Sequence, residues 1–134
     1  MSSLYAFLNP IQAENKEIVI SNRFVEEGKV IPFTIRPITQ EENTVLIKKF
    51  SKIDKKGNET FDRPGYVQAM TASAVVFPDL ASVELQKAYG VLGESKLLQK
   101  MLYVGEYATL AQEVQSLSGL DEDINEDIEE VKNE

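Results

Sequence analysis

The 134-residue chain contains no cysteine, no histidine and no tryptophan. Without cysteine it has no disulfides and no thiolate metal sites. Without histidine it lacks both the commonest general base and the commonest metal ligand. Such a composition suits a reducing compartment. Long hydrophobic runs are missing as well: none approaches the roughly 18 residues of a membrane span, and Met1-Ser2-Ser3-Leu4 lacks the basic start and cleavage site of a secretory signal. The protein is expected to stay where it is made, with no membrane partner.

Acidic residues outnumber basic ones by 22 to 14, and the excess lies at one end. Residues 121–134 hold Asp121, Glu122, Asp123, Glu126, Asp127, Glu129, Glu130 and Glu134 against Lys132 alone, a net of −7, which leaves the other 120 residues at −1. A near-neutral body with an acidic tail gives no overall footprint for nucleic acid, so no nucleic-acid partner is expected. The tail reads as a solubilising segment, or as a contact for a basic partner. Its apolar residues Ile124, Ile128 and Val131 are spaced i, i+4 and i+7, so a short helix with a docking stripe is open to it. It is expected to add little to folding.

A chain of this size fits one domain, which can bury about two-thirds of its unfolded surface. The expected organisation is an N-terminal apolar segment and linker over residues 1–16, a single α+β domain over 17–120 and an acidic tail over 121–134. Leu4, Tyr5, Phe7 and Leu8 form a short apolar cluster stopped by Asn9-Pro10. Packing on the body is the ordinary expectation for such a cluster, and readiness for a partner is the alternative.

Residues 17–37 alternate as two strands of a hairpin. With Glu26-Glu27-Gly28-Lys29 as the loop, Val25 faces Val30, Asn22 faces Phe33 and Ile20 faces Ile35. Ile18, Ile20, Phe24, Ile31, Phe33 and Ile35 then share an inward side, and Glu17, Val19, Ser21, Arg23, Thr34 and Arg36 face outward. Pro32 cannot donate to a ladder and marks the second strand as an edge or as locally irregular.

Thr39-Gln40-Glu41-Glu42 reads as a capping box, opening a helix with Val45, Leu46 and Phe50 inward. Residues 51–61 read as a second small hairpin or a loop. Asp62 is an N-cap candidate, with Pro64 in the first turn of a helix running to about Val76; Tyr66, Val67, Met70, Ala74 and Phe77 make its core stripe. A short helix over Val83–Tyr89, with Leu85, Ala88 and Tyr89 inward, ends on Gly90 as a left-handed cap. Another covers 94–102 with Leu97, Leu98, Met101 and Leu102 on one side. Tyr107, Leu110, Ala111, Val114 and Leu117 form the strongest helical stripe, stopped by Gly119. The fold class is therefore α+β: an N-terminal antiparallel β-hairpin, a bundle of four to five short helices on its apolar face, and the acidic C-terminal tail.

No catalytic set is recognisable, and the chain is expected not to be an enzyme. A site needs a nucleophile with its base, a metal cluster, a phosphate cradle or two carboxylates held apart in a pocket. Gly90 and Gly93 lack the strand and lysine of a phosphate loop. Asp54 to Glu59 lacks the alternating acids and final bidentate glutamate of a calcium loop. No metal or cofactor is expected.

The stretch F-P-D-L-A-S-V-E-L-Q-K-A-Y-G-V-L-G-E-S-K-L-L-Q-K-M-L-Y-V-G-E-Y, from Phe77 to Tyr107, is more specific. It resembles the XkdN-like family of bacteriophage tail assembly chaperones, whose members share (Y/F)-P-D-L, E-L-Q, Y-G-V-(M/L)-G, L-L-x-x-M-L and G-E-Y. Ile18 to Phe24, Ile35 to Asn43, Phe61-Asp62 and Val114 to Asp121 follow the family's order, and the likeness covers about 120 residues. Val104 departs from it, standing where many members have proline. The resemblance implies a non-structural phage or prophage protein of the host bacterial cytoplasm, absent from the virion. Its implied role is to bind the tape measure protein, and in some cases other tail assembly proteins, and keep it soluble. It carries over no catalytic residues. The candidate contact residues are the exposed apolar ones, Leu4, Tyr5, Phe7 and Leu8, together with Tyr103 and Tyr107. Two other readings are a different acidic adaptor or inhibitor of phage origin, such as a DNA mimic, and an enzyme using carboxylates alone.

Overall fold

The computed structural model describes residues 4–120. In chain order its elements begin with helix α1 (Leu4–Leu8) and strands β1 (Lys16–Ile18), β2 (Val25–Glu26), β3 (Lys29–Val30) and β4 (Phe33–Ile35). Helix α2 (Gln40–Lys49), strands β5 (Ser51–Ile53) and β6 (Glu59–Phe61), helix α3 (Arg63–Ala74) and strand β7 (Val75–Phe77) follow. Helices α4 (Val83–Tyr89), α5 (Glu94–Met101) and α6 (Val104–Leu117) complete the α+β fold. The expectations for residues 121–134 lie outside the described residues.

The hairpin keeps its predicted faces but not its predicted pairing. Near the turn, Val25 pairs with Val30 as expected. Further out, Ile35 pairs with Lys16 instead of Ile20, and Phe33 with Ile18 instead of Asn22. Residues 19–24 separate β1 from β2, whereas only Ile31 and Pro32 separate β3 from β4, so the ladder slips at this joint. Pro32 sits where no ladder bond is required, and the Ile31 amide still donates to the Phe24 carbonyl at 2.8 Å. The slip is an even number of residues, which leaves the side chains of the paired strand residues on their original faces. Ile20 is 8 % exposed and Val19 57 %. Ser21 is the exception: expected outward, it is buried in the looped-out joint, where its hydroxyl accepts from the Arg23 amide at 3.1 Å.

β4 is not an edge. It lies between β1 and β7 in an antiparallel sheet of order β1-β4-β7. The expected continuation of α3 to Val76 fails for the same reason. α3 stops at Ala74, and Val75 and Phe77 pair with Ile35 and Thr34 across an irregularity in β4. β-branched Val75 and Val76 accept an extended backbone readily, and β4 offers hydrogen bonds that a further helical turn would forgo. Phe77 is consequently exposed, not core.

Local signals set the helix ends. The capping box is present, with the Glu42 amide donating to Thr39 Oγ1 at 3.2 Å and the Thr39 amide to Glu42 Oε1 at 3.1 Å. α2 rests on α3 through Leu46, Phe50 and an Asn43–Tyr66 hydrogen bond, and Val45 faces solvent instead of the core. Asp62 caps α3 by accepting from the Gly65 amide at 3.0 Å. Gly90 takes φ 68°, the left-handed conformation that closes α4. Ala88 is exposed, since this short helix buries little beyond Leu85 and Tyr89. β5 and β6 form the second hairpin, whose turn is tied by Asp54 Oδ1 accepting from the amides of Lys56 and Asn58. The core joins Phe33, Ile35 and Ala74 to Leu97, Leu98 and Met101 of α5 and to Leu110 and Val114 of α6.

Candidate partner-binding surface

α1 is a short helix closed by Asn9, whose amide donates to the Tyr5 carbonyl at 2.9 Å, and Pro10 bars its continuation. Leu4, Tyr5, Phe7 and Leu8 are all exposed, Phe7 at 79 % and Tyr5 at 73 %. Among the described residues no strand or helix packs extensively on α1, against the expected packing on the body. Five residues are too few for a helix to be stable by itself in water, so α1 is an element that a covering surface would stabilise.

The second predicted patch splits in two. Tyr103 is the N-cap residue of α6 and is exposed, with the Arg23 guanidinium 4.2 Å from its ring centre. Arg23 Nε donates to Glu106 Oε2 at 3.1 Å and Nη2 to the Met101 carbonyl at 3.0 Å, and Nη2 also pairs with Glu106 Oε1. The Tyr103 amide donates to Glu106 Oε1 at 2.8 Å, the returning half of a capping box, while the Tyr103 phenol makes no cap bond. Arg23, then the Ser21 hydroxyl and the Tyr103 amide, hold the Glu106 carboxyl at about 2. Tyr107, one turn on, is half-buried against the core. Its hydroxyl is buried without a well-placed hydrogen bond: it lies near the Thr71 hydroxyl, which itself donates to the Val67 carbonyl at 2.7 Å. Burial pushes the phenol pKa up. Tyr107 therefore belongs mainly to the body.

The sequence reading missed Val104. At 90 % exposure it stands over a shallow cleft of about 410 Å³ that also involves Leu102, Tyr107 and Gln99. Glu106 three residues after Tyr103 was the available signal for the helix start, but nothing local pointed to Arg23. No extensive packing joins α1 to α6.

Residues 4–132 match the family described as phage XkdN-like tail assembly chaperone protein. The chain belongs to this family. It is 31 % identical over 129 residues to the XkdN protein of the phage-like element PBSX of Bacillus subtilis (strain 168), covering 92 % of this chain and 87 % of that protein. It is 32 % identical over 126 residues to YqbN of the same organism, covering 90 % and 84 %. The crystal structure of YqbN matches the fold with a TM-score of 0.76 at 27 % identity, over 90 % of this chain and 98 % of that one. Membership in a tail assembly chaperone family implies phage tail proteins as partners. The family match opens at Leu4 and extends to Lys132, so α1 and most of the acidic tail fall within the XkdN-like span. Among the described residues no helix is long and apolar enough to cross a membrane.

Proposed function

We propose that this XkdN-like protein binds the tape measure protein of its own phage or prophage and keeps it soluble while the tail assembles. It works without catalysis or nucleotide, in the host cytoplasm, and stays out of the virion. The observation that carries this reading is α1, an aromatic-rich helix inside the family's span whose Tyr5, Phe7 and Leu8 side chains are largely exposed. A tape measure protein is long and largely helical, with apolar faces that aggregate until tail tube subunits enclose them. A holdase meets that need by lending apolar surface reversibly and adding charge to the complex. Leu4, Tyr5, Phe7 and Leu8 supply the first, with Tyr103 and Val104 as a secondary contact, and residues 121–134 supply the second. Co-expression with the tape measure protein is the test: soluble tape measure protein should rise with the wild-type chain. No rise would overturn the function.

A further inference from the structure

The N-terminal segment and one cleft of the body share the same chemistry. Residues 4–11 hold no charged side chain, and Tyr5, Phe7, Leu8 and Ile11 are exposed, Ile11 fully. At about 100° per residue the side chains of α1 point around the whole helix, so no side of it is polar. A helix that is apolar all round needs enclosure, which a flat surface does not give. The cleft beneath Val104 is bordered by Gln68 of α3, Gln99 of α5, Leu102 and, on α6, Tyr107 and Ala108, again without a charge. Other clefts fit an uncharged helix less well. Lys87 and Lys96 border one, Glu41 and Glu42 another, and the cleft beside Ser118 holds about 140 Å³ against about 410 Å³ here.

We propose that α1 enters this cleft on a second copy of the chain and that the exchange is reciprocal, joining two copies about a two-fold axis. The chain's own cleft is badly placed for its own α1. The Lys16 ammonium pairs with Glu113 at 2.8 Å, tying the start of β1 to α6. Glu113 and Val104 are about two and a half helical turns apart and so face opposite flanks of α6. Passing from one to the other takes about 14 Å along the helix and about 16 Å around it, roughly 21 Å of path. The exposed linker from Asn9 to Asn15 reaches about 25 Å only when fully extended. It would have to run almost straight around α6, whereas a neighbouring molecule brings its cleft to α1 without that cost. Area decides for reciprocity. An enclosed aromatic side chain buries about 150–250 Å². With Tyr5 and Phe7 largely exposed and Leu8 and Ile11 beside them, the segment offers roughly 500 Å², and the cleft that covers it loses a similar area. One such contact, roughly 1,000 Å², falls short of the ~1,200 Å² of specific, stable complexes, and two reach about 2,000 Å². The pairing does not depend on the client proposed above.

Analytical ultracentrifugation of the full-length protein tests the pairing, and cysteine cross-linking tests its geometry. The wild-type chain should sediment as a dimer at high micromolar concentration and dissociate on dilution. Val104→Asp, and separately Tyr5→Ser with Phe7→Ser, should each raise the dissociation constant about tenfold or more while leaving the melting temperature of the monomer unchanged, because these side chains are exposed in the single chain. The chain has no cysteine of its own, so introduced thiols report without background. In an equal mixture of Phe7→Cys and Val104→Cys chains, a short bismaleimide should join position 7 to position 104 in excess over 7 to 7 and 104 to 104. A chain carrying both substitutions should yield covalent dimers. A wild-type chain that stays monomeric at every concentration, or a dimer that survives either set of substitutions, would overturn the proposal. So would a dominant 7-to-7 product, which would mean that α1 packs on α1, or a 7-to-104 link closed within one chain.

Discussion

Arg23 and Glu106 lie 83 residues apart in sequence and clasp each other through both guanidinium edge nitrogens, while the same guanidinium covers the Tyr103 ring and reaches the Met101 carbonyl. One side chain thus fastens the irregular joint of the hairpin to the junction of α5 and α6. Arg23→Met keeps much of the bulk but removes every polar contact, and it should lower the melting temperature. Arg23→Lys should not restore it, because a point charge cannot make the two parallel bonds. In a double-mutant cycle with Glu106→Gln the two losses should fall well short of additive, and full additivity would show that the clasp contributes nothing to the fold.

The protein should weaken in acid. Glu42 is held at about 2, first by Arg36 and then by the Thr39 amide, and Glu106 is held at about 2 chiefly by Arg23, against 4.5 for a free glutamate. A carboxyl whose folded-state pKa lies below its unfolded value binds fewer protons when folded, so its stabilisation is complete above about 4.5 and fades as the pH falls toward 2. Thermal melts should descend across that window. Melts of Glu42→Gln with Glu106→Gln should start lower and descend less; an unchanged slope would mean other carboxylates control the acid limb.

Val104 occupies the first position of α6, after an extended Tyr103 with ψ 164°. That position tolerates the loss of an N–H, and the residue before a proline prefers extended backbone. Val104→Pro is expected to stabilise the protein by about 0.4–1 kcal/mol, chiefly by restricting the unfolded chain. Chemical denaturation should show a higher midpoint with the same slope. A lower midpoint would place a needed hydrogen bond or clash at that site.

Ile20 and Val19 test the hairpin's faces. Ile20→Ala should cost about 2–5 kcal/mol, as truncating a buried aliphatic does, whereas Val19→Ala on the exposed side should change stability by less than about 0.5 kcal/mol. Equal losses at both positions would contradict the alternation.

These two residues also mark how far the sequence could be read. Alternation decides which side of a strand is apolar, and Ile20, Phe33 and Ile35 followed it into the core. Pairing partners depend on how many residues loop out on each side, and nothing in residues 19–24 announces the slip that brings Lys16 opposite Ile35. Caps were legible because their donors and acceptors lie three residues apart, as at Thr39 and Glu42. The helix-to-strand change at Val75 was not, because it depends on β4, some forty residues earlier in the chain. Exposure of Val45 and Ala88 likewise follows from which neighbours arrive, which a helical period cannot specify. Of the candidate contacts, Tyr5, Phe7 and Tyr103 were readable as unused apolar residues; the Arg23 clasp beneath Tyr103 required the folded chain.

Changing Tyr5 and Phe7 together to Ser separates binding from folding. Both side chains are largely exposed in the chain alone, so their removal forfeits little buried area and the melting temperature should stay within a few degrees. On a client the same rings would be buried, and aromatic anchors buried at the centre of an interface commonly cost more than about 1 kcal/mol each when truncated. Soluble yield of a co-expressed tape measure protein should therefore fall toward the level seen without the chaperone, while the variant itself remains folded and soluble. A variant that solubilises the client as well as wild type would move the contact away from α1 and toward Tyr103 and Val104, leaving the chaperone function intact.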